Sequence, residues 1–166
     1  MKRPLPTSDV RSALMGRVRQ KGTAPEAAVG ALLRSQGLAY RKNVRSLPGS
    51  PDYANRKGRW AVFVNGCFWH QHTGCRRATV PKANHDYWTA KFADNRSRDA
   101  KSIRALRRAG FRVTIVWECE AANAGPKLLK LAESRRIGMR QAVDHGGVVV
   151  DVTGLRRGRC LDELHR

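Results

Sequence analysis

Three residues with metal-binding side chains crowd one short stretch of the chain. Cys67, His72 and Cys75 lie within nine residues, and Cys119 follows much later, after an apolar run. Two thiolates and an imidazole at this spacing can wrap one ion, and a thiolate from a distant strand end closes the tetrahedron. Zinc favours that donor set, and a closed Cys3His site leaves no position for water, so it is structural. The rival view is that these are small buried hydrophobes beside an unrelated histidine. His70 competes with His72 as the nitrogen ligand, and spacing does not separate them. The opening MKRPLPTSDV has no apolar stretch behind its basic start, so no secretory signal is expected. In a reducing compartment metal binding outranks disulfides. Cys160 sits in a less readable tail and is expected to be a free thiol.

A second group suits phosphodiester chemistry. Pro51-Asp52 follows a helix that carries Glu26 and precedes a strand that runs into the His-rich loop. In Mg²⁺-dependent nucleases an aspartate so placed binds the metal at a kink in a sheet, and the metal polarises the scissile phosphate. Most such enzymes continue with Glu-x-Lys. This chain has Val62, Phe63 and Val64 there, so the second acid and the lysine are missing. Taken alone, Pro-Asp is more often a turn.

The elements that must hold these groups can be read from periodicity and caps. Ser8 to about Gln20 suits an amphipathic helix with Val10, Leu14 and Val18 on one stripe and Arg11, Arg17 and Arg19 opposite. Thr23-Ala24-Pro25-Glu26 is a capped helix start, followed by the core stripe Ala28, Val29, Leu32 and Leu33, with Gly37 as the terminator. Leu38 to Arg41 begins an extended segment, and Leu47 to Asp52 is a turn-rich loop. Arg59 to Val64 reads as a buried strand. A long helix is expected from about Asp86 to Ala109, capped by Asn84 and stopped by Gly110. It exposes Arg96, Arg98, Arg104, Arg107 and Arg108. Phe111 to Trp117 is a second strand, Pro126 to Arg135 a last short helix, and Val148 to Val152 a possible strand. This order is α/β. Residues 1–7 form a loose tail, 8–136 the main domain and 137–166 a basic extension.

Composition narrows the partners. The chain has 166 residues, 33 Lys plus Arg against 13 Asp plus Glu, and a net charge of +20. That excess is the footprint of a polyanion, above all nucleic acid. Mean hydropathy is −0.55 and no long apolar run exists, which excludes a membrane-spanning protein. Hydrophobics at 41% argue against wholesale disorder.

The motifs together resemble the very-short-patch-repair (Vsr) endonuclease family. The resemblance rests on Thr23-Ala24-Pro25-Glu26, Leu47-Pro48-Gly49-Ser50-Pro51-Asp52, Gly66-Cys67-Phe68-Trp69-His70, Tyr87-Trp88-x2-Lys91, Asn95-x3-Asp99 and Val116-Trp117-Glu118-Cys119. They occur in family order over roughly residues 8 to 135. The resemblance implies a restriction-endonuclease-like fold with a central mixed sheet flanked by helices. It implies a nick 5′ to the thymine of a T:G mismatch left by deaminated 5-methylcytosine. It also implies a cytosine-5 methyltransferase in the same cell, a polymerase and ligase that finish the repair, and a double-stranded DNA substrate; a cytoplasmic, nucleoid-associated protein is expected, with a monomer as the default for an asymmetric mismatch.

Carried over by position, Asp52 binds Mg²⁺, His70 is the general base, and Glu26 supports the metal-bound water or the histidine network. Cys67, His72, Cys75 and Cys119 become the structural zinc ligands. Phe68, Trp69 and Trp88 become a wedge into the base stack. Each also has an architectural reading: Asp52 as a turn residue, Glu26 as a cap, Trp88 as core beside Phe92, Phe68 and Trp69 as packing around the zinc, His70 as a bystander. The family often has Thr-His before its Gly-Cys, where this chain has Val64-Asn65. Val64 keeps a backbone carbonyl for Mg²⁺. Asn65 cannot act as acid or base but can support a phosphate or metal water. The alternatives are a non-catalytic zinc-containing DNA-binding relative and a same-fold nuclease, such as a defence nuclease, with another DNA substrate.

Overall fold

The computed structural model describes residues 22–131. The expected helix over residues 8–20, the tails 1–7 and 137–166, the possible strand at 148–152 and Cys160 lie outside the described residues.

Helix α1 (Ala24–Ser35) starts as its sequence demands. The Thr23 hydroxyl accepts the Glu26 N–H, the Glu26 carboxylate reaches back to the Thr23 N–H, and Pro25 fills the first turn. It ends in a Schellman motif: the Gly37 N–H reaches the Arg34 carbonyl and the Leu38 N–H the Leu33 carbonyl, with Gly37 at φ +67°. Helix α2 (His85–Arg108) ends the same way on Gly110. Its start differs from expectation. Asn84 occupies the cap position in a left-handed conformation (φ 56°), and its side chain makes no capping bond.

Four strands form one mixed sheet in the order β1 (Arg41–Lys42), β2 (Tyr53–Asn55), β3 (Trp60–Asn65), β4 (Arg112–Trp117). The first two pairings are antiparallel and β3–β4 is parallel, with α2 as the crossover. The apolar run after Pro51-Asp52 is therefore not reached directly. A three-residue strand and a turn at 56–59, with Arg59 at φ 52°, intervene. Three residues are too few to show a period, which is why pattern reading passes over β2.

Strand β3 is covered on both faces. Val62 and Tyr53, register partners, pack with Val29, Leu33, Val116 and Leu128 on the α1 side. Ala61 and Ala54, the next partners, pack with Leu106 and Phe111 on the other. A 3₁₀ turn (Glu118–Asn123) follows β4 and leads into a helical run at 125–131. No described helix is long and apolar enough to cross a membrane.

Candidate active site and metal centre

One face of α2 positions most of the site. Phe92, Asn95, Asp99, Ser102 and Leu106 recur at spacings of three and four, so they share that face. Phe92 and Leu106 are buried anchors. Between them, Asn95 Nδ2 donates to the Trp69 carbonyl at 2.9 Å. Asp99 Oδ2 lies 2.5 Å from His70 Nδ1. Ser102 sits against Gly49, where a Cβ would come within 2.7 Å of the Ser102 Cβ. Gly49 is thus required by contact as well as by its φ of +75°.

A cleft of about 230 Å³ opens between α1, the ends of β2 and β3, and this face of α2. Glu26, Asp52, Val64, Asn65, His70 and Asp99 all line it. Asp52 immediately precedes β2, and the Val64 N–H of β3 donates to its Oδ2 at 2.8 Å. Burial pushes the Asp52 carboxyl up to about 6; the Val64 N–H opposes that rise, the Glu26 charge adds to it, and His70 opposes it. A carboxylate held at such cost beside a second acid suits a hard cation with oxygen ligands. Glu26 serves two places at once. Its carboxylate takes the Thr23 hydroxyl at 2.8 Å and the Gly22 N–H at 2.9 Å, yet it faces the cleft.

Asn65 is 7% exposed, and its side chain has no hydrogen bond among the described residues. Its amide faces the cleft and is free to hydrogen-bond to what enters it. The sequence flagged Asn65 only as a departure from the family pattern, and its isolation emerges from the fold.

Behind the cleft, the loop from Gly66 to Cys75 separates the two histidines. Residues 66–70 turn tightly, with the His70 N–H on the Gly66 carbonyl at 3.1 Å. Gln71 then breaks the turn at φ 50°. His70 meets α2, whereas His72 joins the cysteines. The ligand atoms of Cys67, His72, Cys75 and Cys119 all lie within 4.8 Å of one another. His72 Nδ1 is 3.6 Å from Cys67 Sγ and 3.4 Å from Cys119 Sγ. With metal–sulfur bonds of about 2.3 Å and metal–nitrogen bonds of about 2.0 Å, a tetrahedral edge is about 3.6 Å. The four residues therefore fit one ion, with His72 in place of His70. Burial raises the Cys67 thiol, and a cation is what would keep it a thiolate.

Phe68, Trp69 and Trp88 form one aromatic group on Phe92. Phe68 lies 5.1 Å from Trp69, 5.5 Å from Trp88 and 5.1 Å from Phe92, edge-on to each. Phe92 is buried, and the other three are half-exposed. The expected cations on α2, Arg96, Arg98, Arg104, Arg107 and Arg108, are all exposed.

The family model for DNA mismatch endonuclease Vsr matches residues 5–77. A type II nicking enzyme, V.XorIIP of Xanthomonas oryzae pv. oryzae, is 46% identical over 115 residues, covering 69% of this chain and 84% of that protein. The chain belongs to the Vsr family. The DNA mismatch endonuclease Vsr of Escherichia coli K12 is 39% identical over 127 residues, 76% of this chain and 80% of that one. The type II nicking enzyme V.NmeAIP of Neisseria meningitidis is 41% identical over 117 residues, with 70% and 83% covered. The family model's span includes Glu26, Asp52, His70, Cys67, His72 and Cys75, and the relatives make this Vsr-family chain an endonuclease. Asp99 is the site residue that sequence reasoning left without a role. Its signal was present in the Asn95-x3-Asp99 spacing, which sets both side chains on one helix face.

Proposed function

We propose that the protein is a Mg²⁺-dependent endonuclease that nicks one DNA strand 5′ to the thymine of a T:G mismatch, the first step of very short patch repair. The observation that carries this reading is the His70–Asp99 pair lining one cleft with Asp52, in a chain of the Vsr family. The mixed sheet, with an acid at the start of β2, supports a restriction-endonuclease-like core.

The Asp99 carboxylate accepts Nδ1–H of His70 and holds the ring in the tautomer whose Nε2 carries the lone pair. Nε2 then takes a proton from the attacking water. Asp52, with the Val64 carbonyl, is the seat of Mg²⁺, which when bound polarises the scissile phosphate and stabilises its developing charge. Glu26 supports the same network from α1. The Asn65 amide faces the cleft as a neutral hydrogen-bonding group for the phosphate or its water. Phe68, Trp69 and Trp88 form the wedge, which inserts at least cost beside a wobble pair that is already weakly stacked. Exposed cations supply affinity through phosphate contacts, with steep salt dependence.

Cys67, His72, Cys75 and Cys119 hold a structural Zn²⁺. In the cell the substrate arises downstream of a cytosine-5 methyltransferase, and polymerase and ligase complete the repair. A cytoplasmic, nucleoid-associated monomer suits an asymmetric mismatch.

The test is nicking of labelled T:G and T:A duplexes with Mg²⁺ or EDTA. A Mg²⁺-dependent cut 5′ to the mismatched thymine is expected. Equal cutting of both duplexes would remove the mismatch from this reading. Tight binding without any cutting would make the chain a DNA-binding relative.

A further inference from the structure

Three consecutive residues where β4 passes into the 3₁₀ turn all face the metal centre. Cys119 supplies a ligand atom. The Trp117 ring stacks face to face on the His72 ring, with centroids 4.2 Å apart and planes 6° from parallel. Glu118 Oε2 accepts the Cys67 N–H at 3.2 Å, and its Oε1 pairs with Arg77 Nη1 at 3.3 Å.

A metal-bound histidine usually has its second ring nitrogen hydrogen-bonded, which fixes its orientation. Here Nδ1 faces the sulfurs, and Nε2 has no hydrogen bond among the described residues. The ring is held by stacking instead. Glu118 answers a different need. Cys67 and Cys75 stand at the two ends of one loop, and Cys119 comes from a distant part of the chain. Glu118 grips the first through its N–H, reaches the second through Arg77, two residues beyond Cys75, and adjoins the third. A carboxylate close to three thiolates is electrostatically unfavourable, and the Arg77 guanidinium offsets it.

On the reading that these four residues hold Zn²⁺, we propose that Trp117 and Glu118, the latter together with Arg77, are positioning residues of the metal centre. They set the His72 ring and the Cys67 backbone in the coordinating arrangement and slow metal loss. Because His70 lies between Cys67 and His72 in the same loop, the same bracing steadies the histidine of the cleft.

The experiment follows transfer of Zn²⁺ from the full-length loaded protein to an excess of a metallochromic chelator. In parallel it records the visible absorption of the Co²⁺-substituted protein, which reports ligand geometry. Trp117→Leu is expected to release Zn²⁺ roughly 10- to 100-fold faster and to shift the Co²⁺ bands. Glu118→Ala should also release faster. Glu118→Gln should fall between it and the parent, since the amide oxygen still accepts the Cys67 N–H but no longer pairs with Arg77. Arg77→Met, an exposed change that leaves the core untouched, should resemble Glu118→Gln. Trp117→Phe keeps a stacking ring and should recover most of the parent behaviour even where Trp117→Leu folds poorly. Parent-like release and parent-like Co²⁺ bands in Trp117→Phe, Glu118→Ala and Arg77→Met, together with Trp117→Leu when folded, would overturn the proposal. A parent protein that takes up no stoichiometric Zn²⁺ would instead overturn the zinc reading itself.

Discussion

His70 Nδ1 and Asp99 Oδ2 stand 2.5 Å apart, although 29 residues separate them in the chain. The pairing joins the loop that carries the metal ligands to the helix that backs the cleft, and so links the two centres of the protein.

Asp99→Asn keeps the size of the side chain but frees the imidazole to adopt the wrong tautomer. Single-turnover nicking should slow about 100-fold or more, while binding of uncut mismatched duplex changes little. His70→Ala should slow it at least as much, and the double variant should be no slower than His70→Ala, because the two side chains act as one unit. Additive losses would show that Asp99 works independently of His70.

Asp52→Asn should abolish nicking and leave duplex binding intact. It should also make the metal-free protein more stable. Burial and the Glu26 charge both oppose ionisation of Asp52, whereas the amide oxygen of asparagine still accepts the Val64 N–H. Thermal melting in EDTA should give a higher Tm for the variant. Adding Mg²⁺ should raise the parent's Tm and leave that of the variant unchanged.

If the Cys3His cluster holds Zn²⁺ as proposed, its removal should disable the nuclease in a way that added Mg²⁺ does not repair. The Cys67–Cys75 loop carries His70, and Trp69 in the same loop receives the Asn95 bond. Losing the metal therefore loosens the base and the wedge together. The check is nicking before and after chelation at fixed Mg²⁺, with bound Zn²⁺ counted by chelator titration. Restoration by Zn²⁺ alone is expected.

Tyr53→Phe tests the support beneath Glu26. The Tyr53 hydroxyl donates to the Glu26 carbonyl at 2.6 Å, from a ring only 2% exposed. Its loss should cost about 1–3 kcal/mol in chemical denaturation. Burial, with the neighbouring Tyr40 adding to it, raises the Tyr53 hydroxyl to about 12 from an ordinary value of 10.0. The folded state therefore favours the neutral phenol. That stabilising contribution is complete below pH 10 and is lost as pH rises towards 12. The stability gap between parent and Tyr53→Phe should narrow across that window, and a gap that widens would contradict the assignment.

Much of this was legible in the residues. The Thr23–Glu26 capping box and the Gly37 and Gly110 terminators act within a few residues, so local physics alone places the helix ends they govern. Strands β3 and β4 announce themselves as apolar runs. The cysteines and the two histidines were evident as a cluster. Strand β2 was too short to carry a period, and Asn84 took a cap position without its side chain making the expected bond.

By itself the sequence determined which chemistries the chain can attempt: soft ligands for one metal, a carboxylate and an imidazole for phosphodiester work, and a cationic surface for a polyanion. Those are properties of side-chain type and local spacing. The allocation of those groups was decided only by the tertiary structure. Spacing left His70 and His72 equivalent, and the left-handed Gln71 between them sent one towards Asp99 and the other towards the thiols. Asp99 acquired a partner, Asn65 was left without one, and Trp117 and Glu118 came against the metal centre. Each of these outcomes depends on which strand lies beside which and on the face that a helix turns inward. Such contacts join residues far apart in the chain, where periodicity and capping carry no information.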